Sequence, residues 1–276
     1  MVDKAMKKNV ALVLLFGLLL CGCASSKPVH TELAINSQVT TETTAEAVNE
    51  ENTVETKPEK VKVYLLDKTV IYDSGFTSYH YDEDYNIDFY KVHTIENDLM
   101  CTTYFENKDE HGMATQNRMQ WASDESCSIL RLTYTESGKL KEEREAGDTF
   151  TGFQYVYDNK ENLVEVREYY EGTLNSTVRY EYNVTELHSV YCEDPEGNRL
   201  YDCCIENNFV VEKVYNDSEG YSIQYEYDEN GNLAMESVIF EGEHIPGVMY
   251  YYKEIEVDAD RAPYLLEQQK YLQSKA

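Results

Sequence analysis

The chain has 276 residues and a formal net charge of -28, from 24 Lys+Arg against 52 Asp+Glu. That balance excludes a nucleic-acid binder, which needs clustered Lys and Arg against phosphates, and it repels anionic lipid headgroups. It suits solubility, cationic partners and weak divalent-cation binding.

The chain opens with a basic stretch, Lys4, Lys7 and Lys8, followed by the apolar run "VALVLLFGLLL" from Val10 to Leu20. The run is shorter than the ~20 apolar residues of a transmembrane helix and reads as a secretory signal. The next residues, "LCGC" from Leu20 to Cys23, resemble the bacterial lipobox. The resemblance implies cleavage between Gly22 and Cys23, acylation of Cys23, and an extracytoplasmic, cell-membrane lipid-anchored protein. Two or three acyl chains would hold it stably where one is marginal. Removing residues 1–22 would leave 21 basic and 51 acidic residues, a net charge of -30, so the lipid is the expected membrane tether.

Residues 23–60 are rich in Thr, Glu, Ser and Asn and contain no aromatic side chain. Such a segment cannot bury enough apolar surface to offset the entropy of ordering it, and it reads as a disordered linker. At Val61 the character changes. "VKVYLLD" and "KTVIYD" are short β-branched runs with turn residues behind them. Tyrosine then dominates, with 25 Tyr against 8 Phe and 1 Trp. It recurs as Tyr-x-Tyr pairs at Tyr79/Tyr81, Tyr155/Tyr157, Tyr180/Tyr182, Tyr225/Tyr227 and Tyr250/Tyr252, the period-2 signature of strands with one face on a core. Between the runs lie turns such as "DNKEN" (Asp158 to Asn162), "EDPEGN" (Glu193 to Asn198) and "DENGN" (Asp228 to Asn232), whose Gly or Asn can take the left-handed conformation of a tight hairpin. The interval from Tyr182 to Tyr227 is long enough to hide one degenerate unit. Residues 61–257 are therefore expected to form a repeat domain of antiparallel hairpins, a mainly β meander whose units bury their apolar faces by stacking on neighbours.

"YEYDENGNL" (Tyr225 to Leu233) and "YVYDNKENL" (Tyr155 to Leu163) resemble the tyrosine-aspartate, or RHS-type, repeat. Glu161 stands where that pattern has glycine, and the likeness fades at Tyr180 to Asn183 and at "LTYTESGKL". The family's repeats build antiparallel β-ribbons in bacterial surface and toxin-delivery proteins. Its large members form closed shells, which a chain of this length is not expected to reproduce. Hairpin architecture is what the resemblance implies here.

Residues 258–276 read as a short C-terminal amphipathic helix from about Arg261 to Ser274, with Leu265, Leu266, Tyr271 and Leu272 at helical spacing, covering a sheet edge or end.

Candidates for chemistry are sparse. Asp228, Asn230 and Asn232 alternate oxygen ligands, but Gly231 is fourth rather than sixth and Ile239 stands twelfth, so a hairpin turn accounts for them better than a calcium loop. The acidic run "YDEDYNID" (Tyr81 to Asp88) reads as a solvated loop. If "EDPEGN" closes a tight hairpin, His188 falls opposite Cys203 with Cys192 on the same face, although small buried thiols explain the cysteines better than zinc does. A disulfide between Cys101 and Cys127 fits an extracytoplasmic setting. No nucleophile elbow, phosphate loop or zinc-protease motif appears, and neither a metal nor a cofactor is expected.

These features describe a membrane-anchored surface lipoprotein acting as a non-catalytic binding module for a glycan or an envelope protein. Tyr155, Tyr157, Tyr180, Tyr182, Tyr225 and Tyr227 are the residues expected to stack on a ligand, provided that they are exposed. The same tyrosines suit a plain core. The alternatives are a structural or accessory protein of an envelope complex and a polysaccharide hydrolase.

Overall fold

A computed structural model describes residues 59–124, 126–216 and 220–275. Sixteen antiparallel strands follow one another around a closed barrel. The first eight are β1 (Lys60–Ile71), β2 (Gly75–Tyr81), β3 (Ile87–Thr94), β4 (Leu99–Lys108), β5 (Ala114–Trp121), β6 (Cys127–Tyr134), β7 (Leu140–Glu145) and β8 (Gly152–Tyr157). The second eight are β9 (Leu163–Tyr170), β10 (Thr173–Asn183), β11 (Glu186–Glu193), β12 (Arg199–Glu206), β13 (Phe209–Tyr215), β14 (Ser222–Tyr227), β15 (Leu233–Phe240) and β16 (Glu243–Asp258). One helix, α1 (Ala262–Ser274), follows.

The expected meander is present, and it also closes. β16, at 16 residues, lies against β1 from Lys60↔Asp258 to Ile71↔Val248. Closure removes both sheet edges, which would otherwise present unpaired N–H and C=O groups to other chains.

Each unit repeats the same physics. In "YDENGN" the Asp228 carboxylate accepts from the Asn230 and Asn232 backbone N–H groups at 2.9 and 2.8 Å, and Oδ2 accepts from Asn232 Nδ2 at 3.0 Å. Gly231 closes the turn at φ 79°, with its N–H on the Asp228 carbonyl at 3.0 Å. Asp158 and Asp194 make the same bonds with Asn162 and Asn198. The paired asparagine holds each of these two carboxyls below its usual range. Glu161 occupies the glycine position at φ 65°, where a Cβ is disfavoured. The degenerate unit is the β12–β13 hairpin, turned by Asn207 and Asn208 at φ 52° and 69°.

Six inward tyrosines, five of them at or just before the start of a turn, tie their units to the one before. Tyr157 OH donates to the Leu140 carbonyl at 2.8 Å, Tyr182 to Leu163 at 3.1 Å, Tyr227 to Val210 at 2.8 Å and Tyr252 to Leu233 at 2.9 Å. Tyr134 reaches Ala114 at 2.7 Å, and Tyr81 reaches Leu66, within β1, at 2.6 Å. Apart from Leu66, the acceptor is the first or second residue of a strand that follows a turn.

Sixteen strands enclose more space than the side chains of an eight-stranded barrel could fill. Here tyrosine rings and α1 occupy it. Leu265 and Leu272 of α1 are completely buried. Three buried glutamines anchor the helix. Gln269 Oε1 accepts from the Leu66 N–H at 2.7 Å, at the bulge where β1 shifts register on β16. Gln268 Oε1 accepts from the Ile87 N–H at 2.9 Å, and Gln273 Nε2 donates to Tyr252 OH at 2.7 Å. The helix thus plugs one end rather than lying along an edge. Because strands alternate in direction, the Asp82, Asp109, Asp158 and Asp228 turns, the start of β1 and α1 share this plug rim, while the Asp194 turn and the β1–β2, β3–β4 and β9–β10 connections lie at the far rim.

Gly231→Ala is expected to lower stability by about 1 kcal/mol in urea unfolding, because the added Cβ sits at a left-handed φ, whereas Glu161→Gly should be tolerated. Equal costs at both positions would contradict this turn geometry.

Candidate functional site

Inward and outward positions alternate along every strand, and the alternation decides what each expected site residue can do. Tyr155, Tyr180 and Tyr225 are 7%, 3% and 3% exposed and belong to the core. Tyr157, Tyr182 and Tyr227 pack against that core and spend their hydroxyls on backbone carbonyls. The six tyrosines expected to stack on a ligand are therefore framework residues, buried because Tyr-x-Tyr places both rings on the inward face. Gly22 and Cys23 lie outside the described residues.

The cysteines are free thiols, and Cys101 and Cys192 pack as the small buried side chains expected. β5 separates Cys101 from Cys127: Cys101 pairs with Trp121, and Cys127 with Gln120. Cys101 is buried and Cys127 exposed, and both are free thiols. They occupy opposite faces, and no disulfide joins them. Cys203 lies opposite Val190 rather than His188, because the hairpin register differs by two residues. Among the described residues no group of three or more His, Cys, Asp or Glu side chains is placed to hold a metal.

The interior instead holds an ionisable cluster that the sequence reading missed. Lys213 on β13 is completely buried, opposite Cys203 on β12. Its ammonium lies 4.3 Å from the centre of the Tyr201 ring and 5.0 Å from that of Tyr215, a cation–π setting. Burial pulls its pKa from 10.5 to about 8, opposed by Cys203, Glu236 and Cys192. Glu236 on β15 accepts from Tyr250 OH at 2.6 Å, and burial raises its carboxyl above the usual range. Burial likewise pushes the Cys203 thiol up to about 12. A signal was present in "VVEKVY": Lys213 is in phase with Tyr215, two residues on, and so takes its inward face. A lysine with no exposed surface cannot meet a substrate, and its neighbours hold it as an internal charge.

Two further inward carboxylates are equally committed. Glu143 meets Lys275, beyond the end of α1, at 2.8 Å. Glu168 accepts from Ser176 Oγ and Asn175 Nδ2, both at 2.7 Å.

The outer wall is charged. Arg118 meets Glu106 at 2.8 Å, Arg179 bridges Glu165 and Glu193 at 2.5 and 2.6 Å, and Lys62 meets Glu254 at 3.1 Å. A barrel that crosses a bilayer carries an apolar outer band. These ion pairs stand on the outer wall where such a band would lie.

Exposed large apolar side chains gather at one end. Tyr72, Ile95, Leu99, Tyr170, Leu200 and Val214, six of the nine among the described residues, lie at or near the far rim. Tyr170 is the most exposed aromatic of these, at 64%. This rim is the end remote from Lys60, where the described chain enters the barrel.

No family model matches the sequence, and no curated protein matches it. Among solved structures, the chain is similar to a porin-like protein from Bacteroides uniformis at 14% identity and a TM-score of 0.39, over 71% of this chain and 98% of the other. A porin-like protein from Bacteroides vulgatus is similar at 12% identity and a TM-score of 0.38, over 68% and 99%. The Tc holotoxin pore of Photorhabdus luminescens is similar at 12% identity and a TM-score of 0.31, over 68% of this chain and 11% of that one. None reaches a TM-score of 0.5, and these likenesses carry no functional weight.

Replacing the internal pair with neutral groups, Lys213→Met with Glu236→Gln, should stabilise the barrel near neutral pH, since buried charges often cost more than they return. Lys213 has a folded pKa below its unfolded value of 10.5. Across that window the unfolded wild type binds the extra proton, so wild-type stability rises with pH. The advantage of the double variant should therefore shrink between about pH 8 and pH 10.5, by up to about 3 kcal/mol. A pH-independent difference would show that Lys213 is not the charged group.

Proposed function

We propose that the protein is a lipid-anchored, non-catalytic module of the bacterial envelope that presents the far rim of its barrel to a binding partner. The observation that carries this reading is the gathering of exposed apolar side chains on the rim opposite the chain's entry. A lipid on Cys23 and a tether up to Lys60 would hold the plug rim toward the membrane and turn the far rim outward. Scattered exposed apolar residues need no explanation, but a collection at one end of a charged barrel marks an interaction face.

The tyrosines contribute rigidity rather than contacts. Their buried rings and engaged hydroxyls make the barrel a stiff support for its rims, and a preorganised surface loses little entropy on binding. A hydrolase would need two carboxylates facing one cleft about 5–10 Å apart. Glu143, Glu168 and Glu236 each face their own partner inside the wall instead.

Two measurements test this reading in the full chain expressed in a bacterium. Cys23→Ser should lose incorporation of labelled palmitate and leave the membrane fraction. A photo-crosslinking residue at Tyr72 or Leu99 should give adducts with an envelope component, while one at Val184 on the plug rim should not. Membrane retention of the Cys23 variant would refute the anchor, and equal adducts from both rims would refute the binding face.

A further inference from the structure

We propose that the β9–β10 hairpin at the far rim forms a binding site for one ring of a neutral saccharide chain, with Tyr170 as its stacking platform. This deepens the rim reading above and rests on it.

A hollow of about 240 Å³ opens here, lined by Tyr170, Glu171, Thr173, Leu174 and Asn175. Drug-sized ligands occupy about 300–1,000 Å³, and this smaller space suits a single saccharide ring. Tyr170 supplies an aromatic face that is 64% exposed. The ring presents a negative π-face, to which the C–H face of a sugar is complementary. Thr173, Glu171 and Asn175 bring a hydroxyl, a carboxylate and an amide, the groups that pair with sugar hydroxyls. One apolar platform beside a few polar groups is the usual composition of a small-molecule site.

The hollow is braced. Glu171 and Gly172 form a tight turn at φ 47° and 80°. The Gly172 N–H donates to the Phe150 carbonyl at 2.7 Å, and the Glu171 N–H donates to Thr151 Oγ1 at 3.1 Å. Tyr169 packs edge-on against Phe150 with ring centres 5.2 Å apart, and Glu168 orients the Asn175 amide at 2.7 Å. The loop between β7 and β8 thus holds the hairpin in place, so a ligand meets a preformed shape.

Charge selects the class of sugar. A net charge of -28, with Glu171 in the lining and Glu168 behind it, repels uronic, sulfated or phosphorylated chains. Neutral hexose or pentose polymers meet no such barrier.

The test is titration calorimetry of the full chain in detergent with cellohexaose, xylohexaose, laminarihexaose and mannohexaose, and with polygalacturonate as the anionic control. At least one neutral oligomer should bind and polygalacturonate should not. Tyr170→Ala should weaken that binding at least tenfold, Tyr170→Phe should retain it within about threefold, and Tyr72→Ser should leave it unchanged. No binding by any neutral oligomer at millimolar concentration would overturn the site, as would an unchanged Kd in Tyr170→Ala. If Tyr170→Ala still gives the rim crosslinks while no oligomer binds, the saccharide site falls and the rim reading stands.

Discussion

The bond from a tyrosine hydroxyl to a backbone carbonyl of the preceding unit is the constraint on which the rest of this structure depends. It joins Tyr157 to Leu140, Tyr182 to Leu163, Tyr227 to Val210 and Tyr252 to Leu233. Strand pairing alone would permit register slips, since each strand has alternative partners along its length. A ring that packs inward and whose oxygen must meet one particular carbonyl removes that freedom. It also satisfies a carbonyl at the start of a strand, where an unpaired polar group would be costly. The recurrence of tyrosine, rather than phenylalanine, follows from this double duty.

Fixing the offset between successive units sets the path of the sheet until β16 meets β1. The same geometry explains the plug. β1 shifts register against β16 between Leu66 and Lys68, and Gln269 of α1 supplies the acceptor for the Leu66 N–H there. Gln273 joins the network through Tyr252, whose hydroxyl also holds Leu233. Closure and plugging are therefore one event at the seam. The internal charges at Lys213, Glu236 and Glu143 are tolerated because each lies among aromatic rings or hydrogen-bonding partners. Such groups cost stability in most settings, and here they sit in the interior of a barrel too wide to be filled by aliphatic side chains alone.

Much of the hairpin architecture was legible in residue order. Period-2 tyrosines, the Asp–Asn turns and the change of pattern at residue 258 place strands, turns and helix close to where they stand, with β1 beginning at Lys60 and α1 at Ala262. Four things were not legible, each for a physical reason. The role of Tyr155, Tyr180 and Tyr225 depends on burial, and a tyrosine that packs inward reads the same as one that stacks on a ligand. The acceptor of each clamp is a backbone atom some twenty residues away and leaves no side-chain trace. The register of β11 on β12, with its bulge between Cys192 and Glu193, sets Val190 rather than His188 opposite Cys203, and neither the bulge nor the offset of the pair is written in the residue order. The far rim was hidden for the same reason: Tyr72, Leu99 and Tyr170 are distant in sequence, and only the alternation of sixteen strands brings them to one end.

The most direct test of this account is equilibrium urea unfolding of Tyr157→Phe, Tyr227→Phe and the double variant. Each substitution keeps the packed ring and removes one hydroxyl donor. The clamp account predicts one cooperative transition throughout, shifted by about 1 kcal/mol per hydroxyl lost, with the two losses adding because the sites are well separated. Stability unchanged in both single variants, with the same slope as wild type, would show that the hydroxyl bonds accompany the fold without holding it.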